Sequence, residues 1–267
     1  MGELRTSEVV SLVYFLVLAI LAWSKPAQAL VRWCLTALAG SVGAVVYLAS
    51  GSTSPSGVAL RDWLPVVLLV LAYWAPGALV TGTHDRFERW LRTVDQWLFG
   101  SGVGRRVLHP PRFVRAVLEI SYASVYPLVP LSIGVVWAAG GQAEVDRFWT
   151  TVLTAEYLCY GLLPLLPTRP PRSLEPLPSQ DSPRRLNRWV LERFSNGWNT
   201  FPSGHVAGSL ACGLAVTVVA PVAGAVLITM AVLIAVASVV GRYHYAADAV
   251  AGWGVAIGCF AAVRALA

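Results

Sequence analysis

Apolar runs at about 8–24, 30–50, 63–82, 113–139, 145–166, 203–220, 222–240 and 245–265 approach or reach the roughly 17 to 25 residues that a helix needs to cross a bilayer. Hydrocarbon offers a backbone no hydrogen-bond partners, so runs of this kind fold as helices rather than as open strands. The expected fold is all-α, a polytopic transmembrane bundle of about eight helices. Composition agrees: 56% of residues are hydrophobic and 13% charged, against about 25% charged in soluble domains. The first run reads as a retained anchor, because its leading flank carries acids beside Arg5 and lacks a clear small-residue cleavage site. Polarity divides the chain into transmembrane helices over 1–82, an interfacial amphipathic segment over 83–112 and a transmembrane core over 113–267.

The formal charge of +6 is almost all arginine, Lys25 being the only lysine. Such a bias records a GC-rich genome as readily as a function, so the charge does not call for nucleic acid. Cys34, Cys159, Cys212 and Cys259 all lie inside apolar runs without paired or metal-ligand spacing, so they read as packing residues. No metal site and no cofactor are expected.

Two polar insertions interrupt the apolar pattern. In the first, Phe87, Trp90, Leu91, Val94, Trp97 and Leu98 recur at helical spacing, with Asp85, Arg86, Glu88, Arg89, Arg92 and Asp95 mostly on the other side. This describes either a helix lying flat in the headgroup layer or a connector packed on the bundle. The second, Pro167 to Thr200, opens on Thr168-Arg169-Pro170-Pro171-Arg172 and leads into Phe201-Pro202-Ser203-Gly204-His205. Its prolines forbid a continuous helix.

Helix parity joins this loop to a third polar motif. Segment 145–166 ends beside Arg169, 203–220 starts from Ser203 on that side, and 222–240 returns the chain there at Gly241-Arg242-Tyr243-His244-Tyr245-Ala246-Ala247-Asp248. Phosphoryl transfer needs donors for three equatorial oxygens, an in-line nucleophile and an acid for the leaving oxygen. Arg169, Arg172 and Arg242 offer planar, permanently charged forks. Ser203 adds a hydroxyl donor, and Gly204 brings a backbone N–H close. Pro202 suits the first turn of a helix whose positive end faces the anion. His244 and Asp248, four apart, share a helix face, so the carboxylate holds one ring nitrogen and points the other at phosphorus. His205 takes the acid role.

His84 and His109 lack such surroundings and read as interfacial residues. Glu119 and Glu156 sit within apolar runs beside tyrosines. Intramembrane carboxylates either line a substrate cavity or complete a hydrogen-bond network.

Pro202-Ser203-Gly204-His205 and His244-x-x-x-Asp248 resemble the second and third signature motifs of the type 2 phosphatidic acid phosphatase superfamily, and Arg169-Pro170 resembles the end of its first. The resemblance spans residues 160 to 255 and implies a six-helix core with metal-independent chemistry on lipid phosphates through a phosphohistidine. Carried over by motif, His244 is the nucleophile, Asp248 orients it and His205 is the general acid. Arg169, Ser203, Gly204 and Arg242 bind phosphate.

Two departures stand out. Leu162 occupies the place of a lysine seven residues before Arg169, so either Arg172 replaces that charge or the pocket is weaker. Arg242 precedes His244 by two residues instead of the usual five. That spacing, with Asp95-Gln-Trp-Leu-Phe-Gly100, looks more like the branch of inositol phosphorylceramide and sphingomyelin synthases and related actinobacterial membrane proteins, which raises transfer to an alcohol over hydrolysis.

The expected enzyme is thus a multi-pass lipid phosphatase or phosphotransferase of a bacterial plasma membrane. Polyprenyl phosphate, phosphatidate, phosphatidylglycerophosphate and glycolipid phosphate are all open as substrates. The rivals are a transporter that binds an anionic headgroup and a scaffold whose Gly204-x-x-x-Gly208 and Gly254-x-x-x-Gly258 spacings mediate helix contacts. Lys25, Arg32 and the arginines of 83–115 put the site on the cytoplasmic side by the positive-inside rule. The family resemblance favours the outer face.

Overall fold

The computed structural model describes residues 3–174 and 182–266, so part of the second insertion, 175–181, lies outside the described residues. The elements are α1 (Thr6–Ser24), α2 (Ala29–Ser50), α3 (Pro55–Trp74) running into a 3₁₀ turn (Ala75–Leu79), α4 (Asp85–Phe99), α5 (Gly102–Leu108), α6 (Arg112–Ala123), α7 (Val125–Ala139), α8 (Gly141–Gly161), α9 (Pro171–Leu174), α10 (Ser182–Phe194), α11 (Gly204–Thr217), α12 (Pro221–Val240) and α13 (Ala246–Ala265). This is a polytopic all-α bundle and a multi-pass membrane protein.

Among the described residues, α1, α2, α3 with its 3₁₀ extension, α12 and α13 are long and apolar enough to cross a membrane. The run expected as one span over 113–139 is instead two helices, α6 and α7, bent by 54°. Pro127 explains the break: it lacks an N–H, and in a continuous helix its ring would collide with the carbonyl of Ala123, where α6 ends, whereas Pro130 lies inside α7. The other two expected spans are helices that fall outside the simple span pattern. α8 carries Glu144, Asp146, Arg147 and Glu156, yet most of it is buried. α11 has 14 residues, about 21 Å at 1.5 Å per residue, shorter than the roughly 30 Å hydrocarbon core.

α11 is the centre of the bundle, packed by α7, α8, α12 and α13 and buried along nearly all its length. Lipid tails are as apolar as leucine, so close packing rather than escape from water decides which helices touch. Glycines of α11 supply that closeness. A Cβ on Gly204 would lie 2.3 Å from Cε1 of Tyr160, and one on Gly208 would overlap the Glu156 carboxylate. The Gly204-x-x-x-Gly208 spacing therefore serves contact between α11 and α8 within the bundle. Gly254 and Gly258 have open space where a Cβ would stand.

Candidate active site

Three connections meet at one end of the bundle. Thr168 and Asn199 form an antiparallel bridge, the Arg172 N–H donates to the Arg242 carbonyl (2.8 Å), and the Ser203 N–H donates to the Asp248 carbonyl (3.0 Å). These backbone bonds tie the exit of α8, the start of α11 and the α12–α13 loop into one floor. The sequence motifs that parity assigns to one surface do converge.

Ser203 is the cap of α11: it is extended, and its Oγ accepts from the Val206 N–H at 3.4 Å. The hydroxyl proton takes no part in that bond. Pro202, expected in the first helical turn, lies one residue outside the cap, after a cis peptide bond. The Gly204 N–H points at the Thr200 hydroxyl (3.4 Å), and the space its missing side chain leaves is filled by Tyr160. Gly204 is thus a packing requirement before it is an anion donor.

His244 does not share a helix face with Asp248, because α13 starts only at Ala246. Asp248 stands in its first turn and accepts the Tyr245 N–H through Oδ2 (2.9 Å), satisfying one of the orphan amides of the helix start. The same oxygen lies 3.4 Å from Nδ1 of His244, which has no hydrogen-bond partner. Such contacts are often long before substrate binds. The His205 ring centroid is 6.0 Å from that of His244, and Tyr73, Tyr122 and Tyr126 surround His205. Burial, and then the positive charge of Arg172, lower the His244 pKa to about 3 and keep its imidazole neutral.

The three expected phosphate arginines separate. Arg172 faces the histidines, its guanidinium 5.6 Å over the Tyr243 ring. Arg169 grips Glu88 of α4 instead, with Nη2 to Oε1 at 2.6 Å, Nε to Oε2 at 3.2 Å and its backbone N–H to Oε2 at 2.8 Å. Burial pushes the Glu88 carboxyl up, but the hydrogen bonds and charge of Arg169 outweigh it and leave the pKa lowered. Arg242 donates from Nη1 to Asp95 Oδ2 at 2.8 Å, and both side chains are buried.

Glu88 and Asp95 were expected on the charged outer face of α4. They point inward with Leu91 between them, and Trp90 and Trp97 stay exposed. Spacings of three and four along 88, 91 and 95 carry that signal, since these positions form one helical stripe. The tendency to set charges against an apolar face conceals it.

The two intramembrane carboxylates also part company. Glu119 accepts from Tyr243 and from Asn187 (2.7 Å), a network that braces the residue before His244. Glu156 accepts from Tyr160 and lines a cavity of about 510 Å³ between α3, α7, α8, α10 and α11. Its walls are mostly aliphatic and aromatic, among them Leu69, Leu128, Val129 and Phe194. His205 belongs both to this cavity and to the histidine pair. His84 caps α4 through Nδ1 (3.3 Å from the Phe87 nitrogen), away from this cluster.

The family model described as the PAP2 superfamily matches residues 86–262, from the first turn of α4 almost to the end of α13. A PA-phosphatase related-family protein of Dictyostelium discoideum is 44% identical over 75 residues, 27% of this chain. The match spans only 14% of that relative's length. No solved structure matches. With two motif histidines brought together and a family match over well more than half its length, this chain belongs to the PAP2 superfamily, a family generally of phosphatases.

Proposed function

We propose that the chain cleaves the bond between a phosphate and a lipid alcohol through a phosphohistidine on His244. The observation that carries this reading is the placement of His205, which touches the nucleophile's surroundings on one side and an apolar cavity on the other. The group that His205 protonates is the leaving oxygen, so the apolar part of the leaving group lies in the cavity.

In this mechanism Asp248 takes the Nδ1 proton side of His244, and the opposite nitrogen attacks phosphorus while the P–O bond to the lipid breaks. His205 delivers its proton to the departing oxygen, giving the lipid alcohol. It then takes a proton from the incoming water or alcohol, whose oxygen displaces His244 from phosphorus. Arg172 and the Ser203 hydroxyl neutralise the transferring group. The cavity suits one apolar chain or part of a branched one, which keeps polyprenyl phosphate, phosphatidate and glycolipid phosphates as substrate classes. The spacing of Arg242 and His244 favours an alcohol acceptor, as in the inositol phosphorylceramide synthase-like branch. None of these steps calls on a metal ion.

The test is phosphate release from a panel of lipid phosphates in detergent with EDTA, comparing wild type and His244→Ala, with lipid alcohols and inositol offered as acceptors. Release or transfer lost in the variant supports the reading. A wild type that binds headgroups but leaves every ester intact makes the protein a lipid binder or transporter.

A further inference from the structure

We propose that α4 is part of the catalytic machinery, with Asp95 as a positioning residue that sets His244 through both ends of its loop. This rests on the reading of His244 as nucleophile. The loop is short: α12 ends at Val240 and α13 starts at Ala246. Within it Arg242 has φ 62°, a left-handed conformation that costs energy in a residue with a Cβ and persists only where the surroundings enforce it. Backbone bonds hold that turn, from the Arg242 N–H to the Val239 carbonyl (3.0 Å) and from the Arg172 N–H to the Arg242 carbonyl (2.8 Å), and Asp95 pins what the turn projects. Its Oδ2 accepts from the Arg242 guanidinium, two residues before His244, and its Oδ1 accepts from the Ala246 N–H (3.0 Å), two residues after. One carboxylate thereby fixes the nucleophile from both sides. Glu88, two turns earlier on the same stripe, holds the Arg169 turn in the same way.

The consequence is a redistribution of roles. Arg242 acts with Asp95 as a clasp, and Arg172 carries the phosphate charge. An element that precedes the three motifs thus belongs to the site, consistent with a family match that begins within α4.

Asp95→Asn keeps the shape and removes the charge. The expected result is a rate of phosphohistidine formation about 100-fold lower, the scale of a small misplacement of reacting groups. Inhibition by orthovanadate, a phosphate analogue, should move less than about threefold, because it reports binding and not attack. Arg242→Gln should match it, and the double variant should be no slower than either single change. Ala246→Pro removes the N–H that Oδ1 accepts and sets the ring Cδ in its place, so Oδ1 must also turn aside; proline is tolerated at a first helical position, and Tyr245 is already extended as a residue before proline must be. It should fold and lose about fivefold in rate, as one of two hydrogen bonds goes.

Tighter vanadate inhibition with an unchanged rate in Asp95→Asn would show that Asp95 competes with phosphate for Arg242, and would overturn the proposal. So would a vanadate affinity weakened tenfold or more by Arg242→Gln, the mark of a phosphate ligand. If the wild type turns over no lipid, the phosphohistidine reading fails by itself and ¹⁵N-histidine NMR decides the clasp. Only four histidines exist, and Asp95→Asn should shift the His244 signals and leave those of His109; unmoved His244 signals overturn it.

Discussion

The two ends of the bundle solve the problem of buried charge differently. Opposite the histidines, Asp62 is fully buried and accepts from Arg5 (2.6 Å), Gln142 (3.0 Å) and Trp137 (3.0 Å), while its carbonyl accepts from Trp149 (2.7 Å). Asp146 takes the first amides of α1, and Glu8 pairs with Arg61. Every member of that network has a partner, and together they tie α1, α3, α7 and α8. At the histidine end, Asn199 Oδ1, His244 Nδ1 and Asp248 Oδ1 are buried without a hydrogen bond. Unmade bonds of this kind cost stability, and they are concentrated where chemistry is expected. One end is built to hold and the other, on the proposed reading, to react.

The largest expected effect tests that difference at the histidine end. Asp248→Asn should lower kcat by about 1,000- to 10,000-fold, the loss seen when the acid that orients a catalytic histidine becomes an amide. Melting should hold or rise, because a buried, incompletely paired charge is removed. At the holding end Asp62→Ala should do the reverse. It strands Arg5, Gln142 and the Trp137 indole, and should cost about 3–5 kcal/mol of stability with turnover per folded molecule unchanged. Denaturant unfolding beside single-turnover rates reads both. Equal loss of stability in the two variants would dissolve the distinction.

What the sequence made legible follows the same division. Helix parity and the histidine motifs suffice to bring His205, His244 and Arg172 to one surface, because apolar run lengths and local spacing encode both. The far network stays hidden, since Arg5, Asp62 and Gln142 lie on three separate segments and nothing local pairs them. The same blindness hides the partners of Arg169 and Arg242: a motif names an arginine, but the acids paired with it, Glu88 and Asp95, lie 81 and 147 residues away. The bend between α6 and α7 was readable from Pro127. It was masked by the unbroken hydropathy of 113–139.

A smaller contrast lies within α13. A Cβ on Gly252 would sit 2.8 Å from the Ser203 carbonyl oxygen and 3.3 Å from the Ala207 nitrogen, both backbone atoms that cannot swing away. Gly252→Ala should therefore push α13, with Asp248, off the start of α11 and cost about 1–3 kcal/mol, with a matching fall in turnover. Gly254→Ala, two residues on in open space, should stabilise the helix by up to about 1 kcal/mol and leave turnover alone. Equal behaviour of the two would mean that the α11–α13 contact is not what sets the site.

The smallest contrast is in acid. His244 has its pKa lowered to about 3 by burial and by Arg172, whereas an unfolded histidine titrates near about 6.5. Between those values the unfolded chain binds a proton that the folded protein refuses. Stability contributed by the neutral imidazole is therefore complete above about pH 6.5 and is lost as pH falls, by about 1.4 kcal/mol per unit. His244→Gln removes this linkage. From pH 7 to pH 5 the variant should lose roughly 2 kcal/mol less than wild type, so the two unfolding curves converge or cross on acidification. Curves that stay parallel would mean that His244 is protonated inside the fold with little cost. The nucleophile would then need a base to deprotonate it, and the nearest carboxylate, Asp248, would have to do more than orient the ring.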